Sequence, residues 1–186
     1  MAEKTEYVIM GLNAAGRTLA CLLALAEDAR ITLVDDGKVS DKSLDQGYLV
    51  VDLGMFKTEA VEATLREVKP RLQISRAFSL DQQLMERLAS KIDGRTVLFC
   101  CEPMSLKARQ HLLNSLGRNC QEIYLLGFSE EDTSGVHRVV PSSDYSDSRL
   151  EDIPEGKESG LTQGMRAAAV AFSTHVMSKY PSPAIL

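Results

Sequence analysis

The chain of 186 residues holds four cysteines, Cys21, Cys100, Cys101 and Cys120, and no two of them form a Cys-x-x-Cys pair. Lacking that spacing, and lacking the framework of a disulfide-stapled domain, they read as reduced thiols of a cytoplasmic protein with no structural zinc. No apolar run approaches the roughly 18 residues of a membrane span, so no membrane partner is expected. The first residues, Met1-Ala2-Glu3-Lys4-Thr5-Glu6, do not follow the basic-then-apolar layout of a signal peptide. An excess of positive charge is missing too: 21 Lys and Arg against 26 Asp and Glu give a formal charge of −5. That balance argues against broad binding to nucleic acid. With no internal repeat, low-complexity tract or dividing linker, residues 1–186 are expected to form a single domain.

What is present is an alternation of strand and helix signals with short connections, the mark of an α/β fold with a mostly parallel central sheet. Tyr7-Val8-Ile9-Met10 is a short apolar run ended by Gly11, and Leu19, Leu22, Leu23 and Ala26 follow at helical spacing. Arg30 to Asp35 reads as the second strand. Residues 57–69 read as a helix closed by Pro70, with Leu72-Gln73-Ile74 as a short strand behind it. Leu80, Leu84, Leu88 and Ile92 mark a further helix. Thr96 to Cys101 is almost wholly apolar, as in a central strand buried on both faces. A helix around Leu106 to Leu116, strands over Glu122 to Phe128 and Val136 to Val140, and a last helix over Leu161 to Ser178 complete the pattern. Residues 141–159 read as a surface loop.

Three places could carry chemistry. Between the first strand and helix stands Gly11-Leu12-Asn13-Ala14-Ala15-Gly16. A nucleotide fold wants glycine here because the turn is tight and the backbone must approach a phosphate at the helix N-terminus. The middle glycine of that pattern is replaced by Asn13, and the alternative is a turn kept only for helix–sheet packing. Asp35, ending the second strand, stands where an acid can accept ribose hydroxyl hydrogen bonds. Lys57, opening a helix after Asp52-Leu53-Gly54, suits triphosphate charge, though a lysine so placed can equally be solvated surface. Glu102, beyond the carboxyl end of the apolar strand, stands where open sheets bind ligands and could ligate Mg²⁺ through oxygen. Cys100 and Cys101 read as core, since no histidine stands near in sequence to activate a thiol. His111, His137 and His175 fit no metal spacing, Arg138 is a weak candidate for a ligand contact, and Glu130 to Asp132 reads as solvated surface.

Together these segments resemble the ThiF/MoeB/HesA family, the E1-like enzymes that activate carboxylates by adenylylation. YVIMGLNAAGRTLACLLALAEDARITLVDDGKVSDKSL is similar to the family's glycine turn, first helix, second strand and acidic loop. DLGMFKTEAVEATLREVKPRLQI is similar to its Gly-x-x-Lys helix, TVLFCCEPMSLKARQHLLNSLGR to its metal-binding strand end, and GLTQGMRAAAVAFSTHVM to its closing helix. The resemblance implies a Rossmann-like three-layer fold with ATP and Mg²⁺ as cofactors. It implies Gly11, Asn13 and Gly16 at the nucleotide turn, Asp35 at the ribose, Lys57 at the phosphates and Glu102 in place of a Mg²⁺-binding Asp. Lys57 and Glu102 would be the catalytic pair, acting on the carboxylate of a small molecule or a protein tail, in a homodimer or heterodimer.

The chain also departs from the family. Gly37 stands at the second loop acid, Ser43 at the loop asparagine and Gln46 at the phosphate-clamping arginine. With the first strand starting at Tyr7, no counterpart of the N-terminal arginine finger is expected. No cysteine follows Cys120, so the thioester cysteine and the zinc pairs have no counterpart. Adenylylation without a thioester step is the leading expectation. A non-catalytic E1-like dimerisation or scaffold partner and a plain NAD-binding Rossmann protein are the alternatives.

Overall fold

A computed structural model describes residues 5–26, 29–78, 96–116, 120–126, 136–139 and 161–179. Strand β1 (Glu6–Met10) buries Tyr7 through Met10 completely, because consecutive apolar side chains on a strand must be covered on both sheet faces. It is flanked by β2 (Arg30–Val34) and β4 (Thr96–Cys100), equally apolar, with β3 (Gln73–Ala77) beyond β2 and β5 (Cys120–Leu126) beyond β4. All these pairings are parallel; β6 (Val136–Val139) closes the sheet antiparallel to β5, giving the order β3-β2-β1-β4-β5-β6. The order reverses at β1, so the carboxyl ends of β1, β2 and β4 frame the crevice where open α/β sheets bind ligands.

Helices cover both faces. Helix α1 (Ala14–Ala26), α3 (Lys57–Val68) and α5 (Leu161–Lys179) share one face, where Leu19, Leu23, Val61, Leu65, Ala168 and Ala171 pack on Tyr7, Ile9, Ile31, Leu33 and Phe99. Helix α4 (Leu106–Leu116) covers the other with Leu112 and Leu113 on Val8, Met10, Leu98 and Ile123. Each such fully buried Leu or Ile contributes roughly 1.5–3 kcal/mol over its exposed state. Helix α5 lies close along α1: a Cβ added to Gly164 would come 2.5 Å from Ala14 Cβ and 2.7 Å from the Ala15 nitrogen. No described helix is long and apolar enough to cross a membrane.

The expected elements stand with small shifts. The third strand runs on to Ala77, and β5 starts two residues early because a register irregularity opposite Thr96 and Val97 admits Cys120. That irregularity puts Glu122 and Tyr124 on the α1–α5 face and Ile123 and Leu125 on the other. The chain between β2 and α3, read as loop, contains a single turn of helix, α2 (Asp41–Leu44), and a 3-10 turn at Val50–Asp52. The helix read around Leu80 to Ile92, the acidic run at Glu130 and the loop over 141–159 lie outside the described residues.

Behind the sheet, β5, β6, α5 and β1 meet in a buried polar network. Glu122 accepts from Tyr124 Oη at 2.7 Å, from His175 Nδ1 at 2.8 Å and from Arg138 Nη2. His175 Nε2 in turn lies 3.0 Å from the Tyr7 hydroxyl. With the carboxylate as acceptor, Nδ1 donates to Glu122. The imidazole stands edge-on to Tyr7, Phe99 and Tyr124.

Candidate nucleotide site

The first strand hands over to α1 through a turn that only small residues permit. Gly11 has φ +83°, and a Cβ there would meet Glu102 Cβ at 2.6 Å and its backbone nitrogen at 2.8 Å. Thus Gly11 brings the turn after β1 against the turn after β4. Gly16 lies beneath: its added Cβ would sit 2.0 Å from the Gly11 oxygen. Asn13 is the N-cap of α1, its Oδ1 accepting the amides of Ala15 at 3.0 Å and Gly16 at 3.2 Å, as Asn at such a position does by preference. Its Nδ2 donates to the Cys101 carbonyl, pinning the turn to the end of β4. With the Arg17 amide on the Asn13 carbonyl at 2.9 Å, the amides of Ala15, Gly16 and Arg17 are all engaged by this one residue.

Asp35 organises the next wall. Its Oδ2 accepts the Leu12 amide and its Oδ1 the Gly37 amide, each at 2.7 Å, while its own amide donates to the Ala77 carbonyl at 3.2 Å. Lys57 opens α3 with its amide on the Gly37 carbonyl at 2.9 Å, and its Nζ reaches to 4.0 Å from Asp35 Oδ2. Gly11, Asn13, Asp35, Lys57, Glu102 and Pro103 line one cavity of about 260 Å³ at the carboxyl edge of the sheet. Of the residues expected at a nucleotide, Gly11, Asn13, Gly16, Asp35, Lys57 and Glu102, Gly16 alone is not on that lining; it acts through packing.

The positions that depart from the family have local reasons. A Cβ on Gly37 would lie 2.9 Å from Asp35 Oδ1 and 3.4 Å from Lys57 Cε, so the loop passes too close for a larger residue without shifting. Ser43 is buried and its Oγ accepts the Ser40 amide at 3.1 Å, which caps α2. Gln46 is buried. A guanidinium still stands at this corner, from an element the sequence did not point to. Arg17, on the first turn of α1, lies 5.4 Å over the Tyr48 ring, and a Cβ on Gly47 would meet its Nη1 at 2.9 Å. Tyr48 donates to the Leu12 carbonyl at 2.6 Å, joining the corner to the glycine turn; burial, more than any charge, pushes its phenol pKa far up and keeps the proton.

The remaining candidates fall outside the cavity. His111 is exposed on α4, His175 belongs to the Glu122 network, and Arg138 directs its guanidinium to Glu122. Among the described residues no three of His, Cys, Asp and Glu come together as a metal site. Cys100 and Cys101 are buried, and desolvation raises the Cys101 thiol strongly and pushes Cys120 up to about 12. Thiolate, the reactive form, is therefore scarce at neutral pH. Alkylation of native protein with iodoacetamide is expected to mark only Cys21, the one partly exposed cysteine, and slowly, since burial raises its thiol too. Mass spectrometry should show label at all four only after denaturation; rapid native labelling of Cys101 would contradict the packing.

The sequence profile described as the ThiF family matches residues 2–115. No curated protein matches significantly. Among solved structures, E. coli MccB with AMPCPP and selenomethionine MccA is similar at TM-score 0.74 and 16% identity, covering 98% of this chain and 58% of that one. E. coli MccB with ATP is similar at TM-score 0.73 and 17% identity, over 98% of this chain and 58% of that one. E. coli tRNA N6-threonylcarbamoyladenosine dehydratase, TcdA, in complex with AMP, is similar at TM-score 0.70 and 15% identity, over 94% of this chain and 85% of that one. The chain thus spans little more than half the length of MccB. At these identities the likeness is one of fold.

Proposed function

The chain belongs to the ThiF family, and from that premise we propose that it binds ATP in the cavity of Gly11, Asn13, Asp35, Lys57 and Glu102 and adenylylates a carboxylate. The observation that carries this reading is the meeting of these five residues, from four separate segments of the chain, on one cavity wall. Asp35, oriented by two amides, presents its carboxylate to ribose hydroxyls. Lys57 takes phosphate oxygens through its ammonium. A carboxylate oxygen of the substrate then attacks the α-phosphorus, the bond to the β-phosphate breaks, and pyrophosphate leaves. Crystals of MccB with ATP and of TcdA with AMP support the choice of nucleotide.

The charges on the wall bear on the cation. Asp35 and Glu102 against Lys57 leave the lining short of positive charge, so a triphosphate enters with a cation that offsets its own. A single carboxylate suits Mg²⁺, which is held by one or two protein carboxylates together with substrate phosphates. Glu102 is the residue to hold it, standing on the cavity lining just beyond the carboxyl end of β4. When bound, Mg²⁺ would neutralise charge on the transferring phosphoryl group. The acyl substrate is a small-molecule or protein-tail carboxylate, and no cysteine follows Cys120 to take the acyl group further. Leu49, Val50 and Val51, 61%, 69% and 81% exposed between α2 and α3, support a dimer partner on that side.

ATP–pyrophosphate exchange over a panel of carboxylates, with calorimetry of Mg²⁺-ATP binding, tests the reading. Lys57→Ala is expected to weaken ATP binding on the order of ten- to a hundredfold, as loss of one charge-assisted contact does. Absence of Mg²⁺-ATP binding in the wild type would overturn the reading. It would favour the second one, a non-catalytic scaffold, for which the buried Gln46 and the amides occupied by Asn13 speak.

A further inference from the structure

Leu12, between Gly11 and Asn13, is held at both ends of its backbone. Its amide donates to Asp35 Oδ2 at 2.7 Å, its carbonyl accepts the Tyr48 hydroxyl at 2.6 Å, and its side chain is wholly buried. Among the described residues no other donor reaches that carbonyl. Tyr48 is itself fixed. It is buried, its amide lies on the Ser43 carbonyl at 3.3 Å, and the Arg17 guanidinium covers its ring. A hydrogen-bonded line thus runs from the Tyr48 hydroxyl through Leu12 to the Asp35 carboxylate. Tyr48 and Leu12 stand off the cavity lining, and Asp35 stands on it.

That line decides where Asp35 sits. Of the two amides on its carboxylate, that of Gly37 belongs to the same loop and travels with it. Among the described residues the Leu12 amide alone hydrogen-bonds the carboxylate to the glycine turn. Gly11, at φ +83°, gives the chain before Leu12 a glycine's freedom, so the direction of the Leu12 amide needs an anchor from elsewhere. The buried Tyr48 hydroxyl is that anchor. Each carboxylate oxygen of Asp35 accepts one amide and keeps a further lone pair for a ligand hydroxyl. We propose, resting on the nucleotide reading above, that Tyr48 is a positioning residue: through Leu12 it sets the Asp35 carboxylate where one ligand meets both it and the glycine turn, and so sharpens the preference for a sugar that carries its hydroxyls.

Calorimetry with the full chain compares Mg²⁺-ATP with Mg²⁺-dideoxy-ATP, which lacks both ribose hydroxyls. The wild type is expected to prefer ATP by about tenfold or more, the effect of hydrogen bonds to a carboxylate. Tyr48→Phe keeps the ring and removes only the hydroxyl. It should weaken ATP binding on the order of three- to tenfold and leave dideoxy-ATP binding unchanged, so the preference shrinks. A merely structural role would weaken both nucleotides alike. On an Asp35→Asn background, Tyr48→Phe should cost ATP binding nothing further, since residues that act through one another are not additive. Wild-type preference retained in Tyr48→Phe, or a strictly additive double variant, overturns the positioning role while the nucleotide reading stands. Equal binding of the two nucleotides by the wild type overturns the ribose role of Asp35 and that of Tyr48 with it. Failure of the wild type to bind either overturns the nucleotide reading as a whole.

Discussion

Gly16→Ala is expected to lower the melting temperature by on the order of 10 °C, or to prevent folding outright. The added methyl would lie 2.0 Å from the Gly11 carbonyl oxygen and 3.3 Å from Cys101 Cβ. Neither neighbour can yield cheaply. Gly11 is held at φ +83° with Glu102 against it, its amide on the Val34 carbonyl at 2.9 Å, and Cys101 is wholly buried with its carbonyl held by Asn13. Overpacking of a site that cannot relax costs about 3 kcal/mol or more, which in a chain of this size corresponds to roughly 2–4 °C per kcal/mol. Gly54→Ala is the control, because Gly54 also has positive φ, +84°, but nothing lies within 4 Å of an added Cβ. It should cost only the strain of a left-handed residue, about 1–2 kcal/mol. Thermal denaturation followed by circular dichroism reads both; a Gly16→Ala protein melting with the wild type would refute the packing described for the turn.

Glu122→Ala is expected to destabilise by about 2–3 kcal/mol, the order of cost when buried hydrogen-bond donors lose their acceptor. Arg138, His175 and Tyr124 all donate to this carboxylate; its loss strips the buried His175 and Tyr124 of that acceptor, while Arg138, 41% exposed, turns to water. Urea titration of Glu122→Ala, His175→Phe and the double variant gives the coupling. Because the two side chains share a bond, their effects should fall short of additivity by about 0.5–3 kcal/mol. Strict additivity would show that the carboxylate and imidazole act independently, against the 2.8 Å contact.

Much of the fold could be read from the sequence because central parallel strands are written as continuous apolar runs. Tyr7 to Met10 and Thr96 to Cys100 are such runs, and helix α3 announced itself by Val61 and Leu65 and by Pro70 behind it. Helix α2 was not legible, since four residues are too few for a period to show. At the site, Gly11, Asp35, Lys57 and Glu102 were legible as punctuation at strand and helix ends, where the fold itself dictates who lines the crevice. The capping role of Asn13 was readable in principle, from an Asn immediately before a run of helix formers. Arg17 was not, because its meeting with Tyr48 depends on how a loop returns to α1. Glu122 was equally opaque: its partner His175 is 53 residues away, and a strand Glu ordinarily reads as a solvent-facing residue.

The close seating of α5 on α1 has a bearing on the order of folding. Tyr7 and His175, joined across 168 positions, belong to the first and last described elements, and Gly164 fits against Ala14 and Ala15 at the start of α1. Contacts of such sequence separation form late, since the entropy of closing the intervening chain must be met before they contribute. On the ribosome, β1, β2 and β4 can pair and place Gly11, Asp35 and Glu102 while α5 is still unmade. The apolar flank of α1 then waits uncovered until residue 164 emerges. Pairing of the central strands and full burial of the core are therefore separate events in the life of a newly synthesised chain.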